Sequence, residues 1–556
     1  MKYVTVKIND KEHQFPAETT LEEINFAVQE KVEAQKQLAA ICNNNLRPLR
    51  YAVTEDCTVK FLDYSDKDGV RIYMISLTFL FIRSVREVIK DSRVSVKHSF
   101  NSGIFFEIKS EEKIDETVVK SIKQKMQELI KEDVSFIRTE CKKEELYKLL
   151  AESSSSNEYT KILLYKNSEY AHIYSCGWMN DYYYGYMVPS TRYLSVFDVK
   201  LYQKGIVLIG PSNKNHSKVA VFKPQPKLFQ VYNQAQKWGK ILNTHNVFEL
   251  NKKIETDEYH EVIQIAEAAH EKKICEIADM IRADKEKGRI ILISGPSSSG
   301  KTSFANRLMI QLKVNGLRPY TISTDNYFLD RKDTPRDKNG NYDFETIDAI
   351  DVEMFNKHMQ KIIAGEEVTL PTFDFIKGEK YYKTENTIRL KEDQPLIIEG
   401  IHGLNPVLSA NIPDGNKFKI YVSPLVQLNL DNHNRISTSD LRMIRRIARD
   451  TRTRGKKIQD VISAFDALRI GEEKYIFPYQ ENADVMFNSA LIYELSVLKK
   501  YVYPMLIAVS YKDAIYREAK RLAKFLQFFL DIDDEKDISP TSILREFIGG
   551  TTLFQE

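Results

Sequence analysis

Gly295-Pro-Ser-Ser-Ser-Gly300-Lys301-Thr302 is the stretch that decides how the chain is read. It fits the spacing G-x-x-x-x-G-K-[ST], in which successive backbone N–H groups and a helix N-terminus form a cradle for phosphate. The flanks have the character such a loop needs. Arg289-Ile-Ile-Leu-Ile293 is a β-branched apolar run that reads as a buried parallel strand. Downstream, Phe304, Leu308 and Leu312 recur at helical spacing until Asn315-Gly316 supplies a stop signal. Strand, glycine loop, helix predicts a nucleoside triphosphate site. Gly295, Ser297, Ser298, Ser299 and Gly300 would wrap the phosphates, with Lys301 reaching the outer pair and Thr302 and Ser303 opening the helix.

Further carboxylates follow at predicted strand ends. Tyr320-Thr-Ile-Ser323 reads as a second strand with Asp325 just beyond it, and Pro395-Leu-Ile-Ile398 as another ending in Glu399-Gly400. In an open α/β sheet, ligands gather at the carboxyl ends of strands. Asp325 there suits a proton acceptor or a magnesium neighbour, although an Asp after a strand also forms turns. Thr302, Glu399 and Asp325 together are the expected Mg²⁺ contacts. On a predicted helix from Ser439 to Thr453, Arg442, Arg445, Arg446, Arg449 and Arg452 recur at three- and four-residue spacing, with Arg454-Gly455-Lys456-Lys457 beyond. Guanidinium groups neutralise charge on a transferred phosphoryl group. Arg449 and Arg454 are the expected functional pair, on a lid that excludes water, while others in the run read as a solvated face.

Composition sets the frame. The chain has 556 residues, 81 basic and 78 acidic, for a net charge of +3, with 42% hydrophobic content. That length implies more than one domain, and the charge balance does not suggest a polyanion-binding chain. Five scattered cysteines without a C-x-x-C pair point to a reducing compartment and no cysteine zinc site. The start alternates like a strand and lacks a signal-peptide apolar core, and Tyr73–Ile82 is too short to span a bilayer. A cytoplasmic protein is expected, not a membrane-bound one, as a homo-oligomer.

Taken together, Gly295–Thr302, Ser323-Thr-Asp325-Asn-Tyr-Phe328, Tyr342-Asp-Phe344-Glu345 with Asp348-Ala-Ile-Asp351, Pro371-Thr-Phe373-Asp374-Phe375, Ile398-Glu399-Gly400 and Arg449-Asp-x-Arg-x-Arg454-Gly455 resemble the uridine kinases and their phosphoribulokinase relatives. The resemblance implies a P-loop kinase core with ATP and Mg²⁺. It implies transfer of the γ-phosphoryl group to the 5′-hydroxyl of a nucleoside or related sugar, with Asp325 as general base and Lys301, Arg449 and Arg454 stabilising charge. Phe328, Phe344, Glu345, Phe373 and Phe375 would then face the acceptor. The pattern departs from the family where the pyrimidine is held: its Tyr-Asp-Phe-x-x-His element reads Phe373-Asp374-Phe375-Ile376-Lys377-Gly378. Its Asp-x-Phe-Tyr element ends in Phe328, its Phe-Asp pair is Phe344-Glu345, and the last lid arginine is Lys456. Loss of several hydrogen-bonding groups predicts altered acceptor selectivity.

The preceding half reads as two small modules. Tyr3–Ile8, a turn, Gln14-Phe15, a helix through Val28 opened by a capping box at Thr19-Thr20-Leu21-Glu22, and strands near Ala39–Asn43 and Thr58–Leu62 resemble a TGS β-grasp domain. Arg71–Ile89, Asn101–Ile108 and Asp181–Thr191 resemble the editing domain of threonyl-tRNA synthetase. Ile75, Phe79, Tyr183 and Met187 stand where that family carries its His and Cys pairs, which implies a fold without the hydrolytic chemistry. His98, His172 and His270 read as structural, and Tyr182–Tyr186 as a packed aromatic strand or a base-stacking surface. Ser153–Ser156 reads as a flexible insertion. The expected organisation is multidomain α/β and α+β: 1–65 TGS-like, 66–210 editing-like, 211–285 linker and connecting helix, 286–490 P-loop kinase core with a parallel sheet flanked by helices, and 491–556 a helical extension. The alternative function is an RNA-binding ATPase in which the N-terminal half binds tRNA; the near-neutral charge does not support it.

Overall fold

A computed structural model describes residues 2–100, 103–153, 161–166, 168–337, 340, 342–374, 377–391 and 393–555. Most of Ser153–Ser156, together with Phe375 and Ile376, lies outside them. The chain is a mixed α/β protein centred on a five-stranded parallel sheet. Across that sheet the strands run Tyr320–Ser323, Leu396–Glu399, Ile290–Ser294, Lys417–Ser423, Val485–Asn488. The central strand, Ile290–Ser294, is buried at every position, as its continuous apolar run requires. Its neighbours on either side come later in the chain, so the strand order reverses here. The crevice for a ligand therefore opens beyond Ser294.

Before this core lie two smaller sheet assemblies. In the first, Tyr3–Ile8 pairs antiparallel with Lys11–Pro16 and parallel with Cys57–Leu62, which continues to Ala39–Cys42 and Asn45–Pro48. The helix Leu21–Val28 is opened by a capping box between Thr20 and Glu23, one residue beyond the expected Thr19–Glu22 box. In the second, the helix Lys67–Val88 packs with two antiparallel sheets. In the outermost strand of one, Arg93–Phe100, buried residues alternate with more exposed ones.

Residues 211–285, expected to be a linker with one helix, hold three: Pro226–Ile241, Val247–Glu255 and Tyr259–Ala283. The first begins on Pro226 at its N1/N2 position, where a missing N–H costs nothing. A proline that reads as a linker residue in sequence is here a helix start.

The N-terminal half is joined to the core by buried polar contacts as well as by chain. The segment before the arginine-rich helix (Thr438–Thr453) reaches into it. Asn429 Nδ2 donates to the Val96 carbonyl at 2.6 Å, and Asn434 Nδ2 to the Tyr182 carbonyl at 2.9 Å. His433 Nδ1 lies 2.6 Å from Asp181 Oδ2. Beside them, Arg521 bridges Asp440 at the start of the arginine helix and Glu518, which also pairs with Arg71. The arginine-rich helix is thus anchored at its first turn to the N-terminal half.

Candidate functional site

The glycine loop takes the conformation its sequence demands. Ser298 (φ 58°) and Gly300 (φ 80°) adopt left-handed backbone, and the helix Lys301–Val314 starts at once. A Cβ on Gly295 would stand 2.0 Å from the Val422 carbonyl oxygen, so only glycine fits between the loop and the neighbouring strand. The loop is gripped from behind by the arginine helix. Arg442 Nε donates to the Ser297 carbonyl at 2.9 Å and Arg445 Nη1 to that of Ser298 at 3.4 Å, while Arg446 Nη1 donates to Ser297 Oγ at 2.7 Å.

Arg442 and Arg445 are not part of a solvated face. Both are fully buried, paired with the buried carboxylates Glu472 and Glu494. Glu472 also accepts the Ser297 N–H at 3.0 Å. Burying such charges is tolerated only with pairing and hydrogen bonding, which the guanidinium groups and the loop supply to one oxygen of Glu472 while its Oε2 stays buried without a partner.

On the crevice side, strand register places the acidic groups together. Ser323 and Ile293 both pair with Glu399, so Glu399 and Asp325 emerge at adjacent strand ends. Gly400 is what lets them approach, because a Cβ there would fall 1.7 Å from Thr324 Oγ1. Burial and the nearby Asp325 push the Glu399 carboxyl up to about 7, against the pull of Lys301. Burial likewise raises Asp325, opposed by Lys301 and Arg454. Burial lowers Lys301, opposed by Glu399, Asp325 and Glu546. Lys301, Asp325 and Glu399 therefore form one electrostatic unit. Lys301 Nζ also donates to the Pro296 carbonyl at 3.1 Å, and the Thr302 side chain is exposed.

The donors Thr302, Asp325 and Glu399 are hard oxygens, and the raised carboxyls mark negative charge that a cation would relieve. Residues present fit Mg²⁺ held by one or two carboxylates plus substrate phosphates. No cluster of three His, Cys, Asp or Glu side chains with metal-site geometry occurs among the described residues.

Arg449 and Arg454 share Asp450, at 2.9 Å and 3.6 Å. Burial alone would raise Asp450, but Arg449, Arg454 and Arg446 outweigh it and hold it low. Arg449 is largely buried; Arg454 has a side chain 52% exposed. The expected acceptor residues form a second group. Phe328 meets Phe344 and Phe373 edge-on at 5.5 Å and 5.8 Å. Glu345 packs on Gly471, and burial with nearby Glu472 pushes its carboxyl up to about 7. Arg446, Lys301 and Asp325 also act on it, so this group faces the same crevice. Phe375 lies outside the described residues. Gly378 has φ 75°, and a Cβ there would meet Arg331 Nε at 2.6 Å, so a larger residue is excluded by the turn itself.

Sequence reading missed Arg446, Glu472 and Glu546. Arg446 was within the arginine run but nothing in its spacing distinguished it. Glu472 and Glu546 carry no motif. The expected helical extension, 491–556, reaches the site: Ser303 Oγ donates to Glu546 Oε2 at 2.7 Å. The histidines expected to be structural stay outside it. His98 is buried and stacks on Tyr232 at 3.7 Å, His270 is buried beside Phe487, and His172 lies near Glu140. Within the tyrosine run, Tyr182 and Tyr183 are buried in irregular chain after a short strand, which matches the packed reading except for its secondary structure.

Residues 290–495 match the family described as Phosphoribulokinase / Uridine kinase family. A uridine kinase of Chloroflexus aurantiacus is 30% identical over 200 residues, covering 36% of this chain and 85% of that protein. One from Staphylococcus aureus is 27% identical over 198 residues, covering 35% and 86%. A solved structure of a possible uridine kinase from Bacillus stearothermophilus has 21% identity, covers 39% of this chain and 98% of its own, and superposes with a TM-score of 0.28.

Proposed function

Since the chain belongs to the phosphoribulokinase/uridine kinase family through residues 290–495 and is a phosphotransferase with a hydroxyl acceptor, we infer that it moves the γ-phosphoryl group of ATP to the 5′-hydroxyl of a nucleoside or related sugar. The observation that carries this reading is the meeting of Asp325 and Glu399 at adjacent strand ends beside Lys301 and the glycine loop. Asp325, its carboxyl raised by burial, accepts the hydroxyl proton as the acceptor oxygen bonds to phosphorus and the bond to the β-phosphate oxygen breaks. Lys301, Arg449 and Arg454 stabilise the charge carried by the phosphoryl group and by departing ADP. Thr302, Glu399 and Asp325 would hold Mg²⁺, which when bound neutralises phosphate charge. Phe328, Phe344 and Phe373 make an apolar wall for the acceptor, with Glu345 its polar member. Phe375 belongs to the same wall by sequence.

A wall so poor in donors does not favour a pyrimidine over other rings, and the acceptor need not be uridine. Incubating ATP with mixed nucleosides and sugars and weighing the products tests this. A single acceptor gaining one phosphate in wild type but not in Asp325→Asn supports the reading; products formed equally by both proteins would overturn the role of Asp325.

The N-terminal half supports a second assignment. Residues 2–65, with a mixed sheet and one capped helix, read as a TGS-like β-grasp module, and 66–210 as an editing-like domain whose chemistry is gone. In favour of the latter, Ile75, Phe79, Tyr183 and Met187 join one apolar cluster, with the Phe79 and Tyr183 rings 5.7 Å apart.

A further inference from the structure

The family match ends at residue 495, yet the crevice has a wall built from beyond it. The segment Ser539–Gly550 returns from the C-terminal helices and lies against the glycine loop. Ile543 Cγ2 sits 2.6 Å from where a Cβ on Gly300 would stand, and Phe547 lies beneath the Arg445 guanidinium at 4.7 Å. Between them Glu546, 8% exposed, enters the site. One carboxylate oxygen takes the Ser303 hydroxyl at 2.7 Å, and the other faces Arg449 Nη1 at 3.4 Å. Its backbone carbonyl accepts from Arg452 Nη2 at 3.3 Å. The same carboxylate acts electrostatically on Lys301, Glu399 and Arg454.

We propose that Glu546 is a positioning residue for phosphoryl transfer, supplied by the C-terminal segment rather than by the family-matched core. A guanidinium stabilises developing charge only if it stands in place before reaction, because reorientation during the step would forfeit the gain. Arg449 has two anchors. Asp450 is on its own helix and moves with it, whereas Glu546 ties it to the first turn of the loop helix through Ser303. Glu546 thus fixes the distance between the arginine helix and the phosphate cradle. A phosphate-binding site does not ordinarily gain from an extra carboxylate, since the charge opposes ATP binding. Its presence is explained if it orients rather than binds.

This rests on the kinase reading, and the test separates the two. Glu546→Gln keeps an acceptor for Ser303 and loses the charge facing Arg449. In the full chain, Glu546→Gln should unfold at the wild-type temperature and bind MgATP at least as tightly, while acceptor-dependent kcat falls at least about tenfold. Glu546→Asp, charged but shorter, should recover part of that loss. In an Arg449→Ala background, Glu546→Gln should have little further effect on kcat, because its action passes through Arg449. A stable Glu546→Gln protein with kcat within twofold of wild type, or independent losses from the two substitutions, would overturn the proposal. If wild type phosphorylates no acceptor, the kinase reading fails by itself, and the same cycle is read in MgATP Kd. A coupling of about threefold or more would support the link between Glu546 and Arg449, and additivity would overturn it.

Discussion

Two places in this molecule draw side chains from distant segments to a common point, and they treat charge in opposite ways. At the ends of the parallel strands, Lys301, Asp325 and Glu399 meet, and burial pushes each carboxyl above its usual range. In the N-terminal half, Ile75, Phe79, Tyr183 and Met187 join one apolar cluster, ring against ring and methyl against glycine. The second place gains stability from its packing, and its one ionisable group, the Tyr183 phenol, is held neutral by burial. The first forgoes stability, holding like charges near one another where a ligand could relieve them. Convergence alone therefore does not mark a reactive site; unrelieved charge at the point of convergence does.

Substitution at the first place should be felt mainly in rate. Asp325→Asn is expected to lower acceptor-dependent kcat by about 10²–10⁴-fold. Because burial disfavours the ionised carboxyl, the same variant should melt no lower than wild type at pH 8. A large loss of melting temperature would make Asp325 structural and dissolve the contrast.

The support behind the loop should behave oppositely. Arg442→Ala leaves the Glu472 carboxylate buried without its guanidinium, at a cost of about 3–5 kcal/mol in denaturant unfolding. At the apolar place, Met187→Ala removes buried volume and should cost about 2–5 kcal/mol. Its kcat per folded molecule should stay within twofold of wild type, and a specific rate loss would show that the two halves are coupled in catalysis.

The smallest effect concerns pH. Folding raises the Glu345 carboxyl from 4.5 to about 7, so the folded state favours its proton. The associated stability is fully present below the unfolded value and is lost as pH rises through 7. Glu345→Gln, neutral throughout, should flatten the melting temperature between pH 5 and 8 and exceed wild type at pH 8. An unchanged slope would place the ionised group in contact with solvent.

What the sequence made legible was local. The glycine loop, its strand and helix, and the carboxylates at strand ends each follow from spacing over a few residues. The capping of Leu21–Val28 and the arginine helix were legible for the same reason. What it hid was long-range. Arg442 and Arg445 read as exposed charge because Glu472 and Glu494, tens of residues away, decide their burial. Glu546 was invisible because its meaning depends on Ser303, far upstream. The helices at Pro226–Ile241 and Val247–Glu255 were obscured by prolines and polar residues whose helical role depends on packing against the core.

On this reading the crevice transfers phosphoryl groups to a small hydroxyl acceptor. The most direct test is ADP formation by the full chain across nucleosides, ribose sugars and bulk tRNA, each with a no-acceptor control. ADP formation that depends on one nucleoside or sugar and ignores tRNA is the predicted result. Turnover indifferent to every small acceptor but raised by tRNA would contradict it and move the function to the N-terminal half.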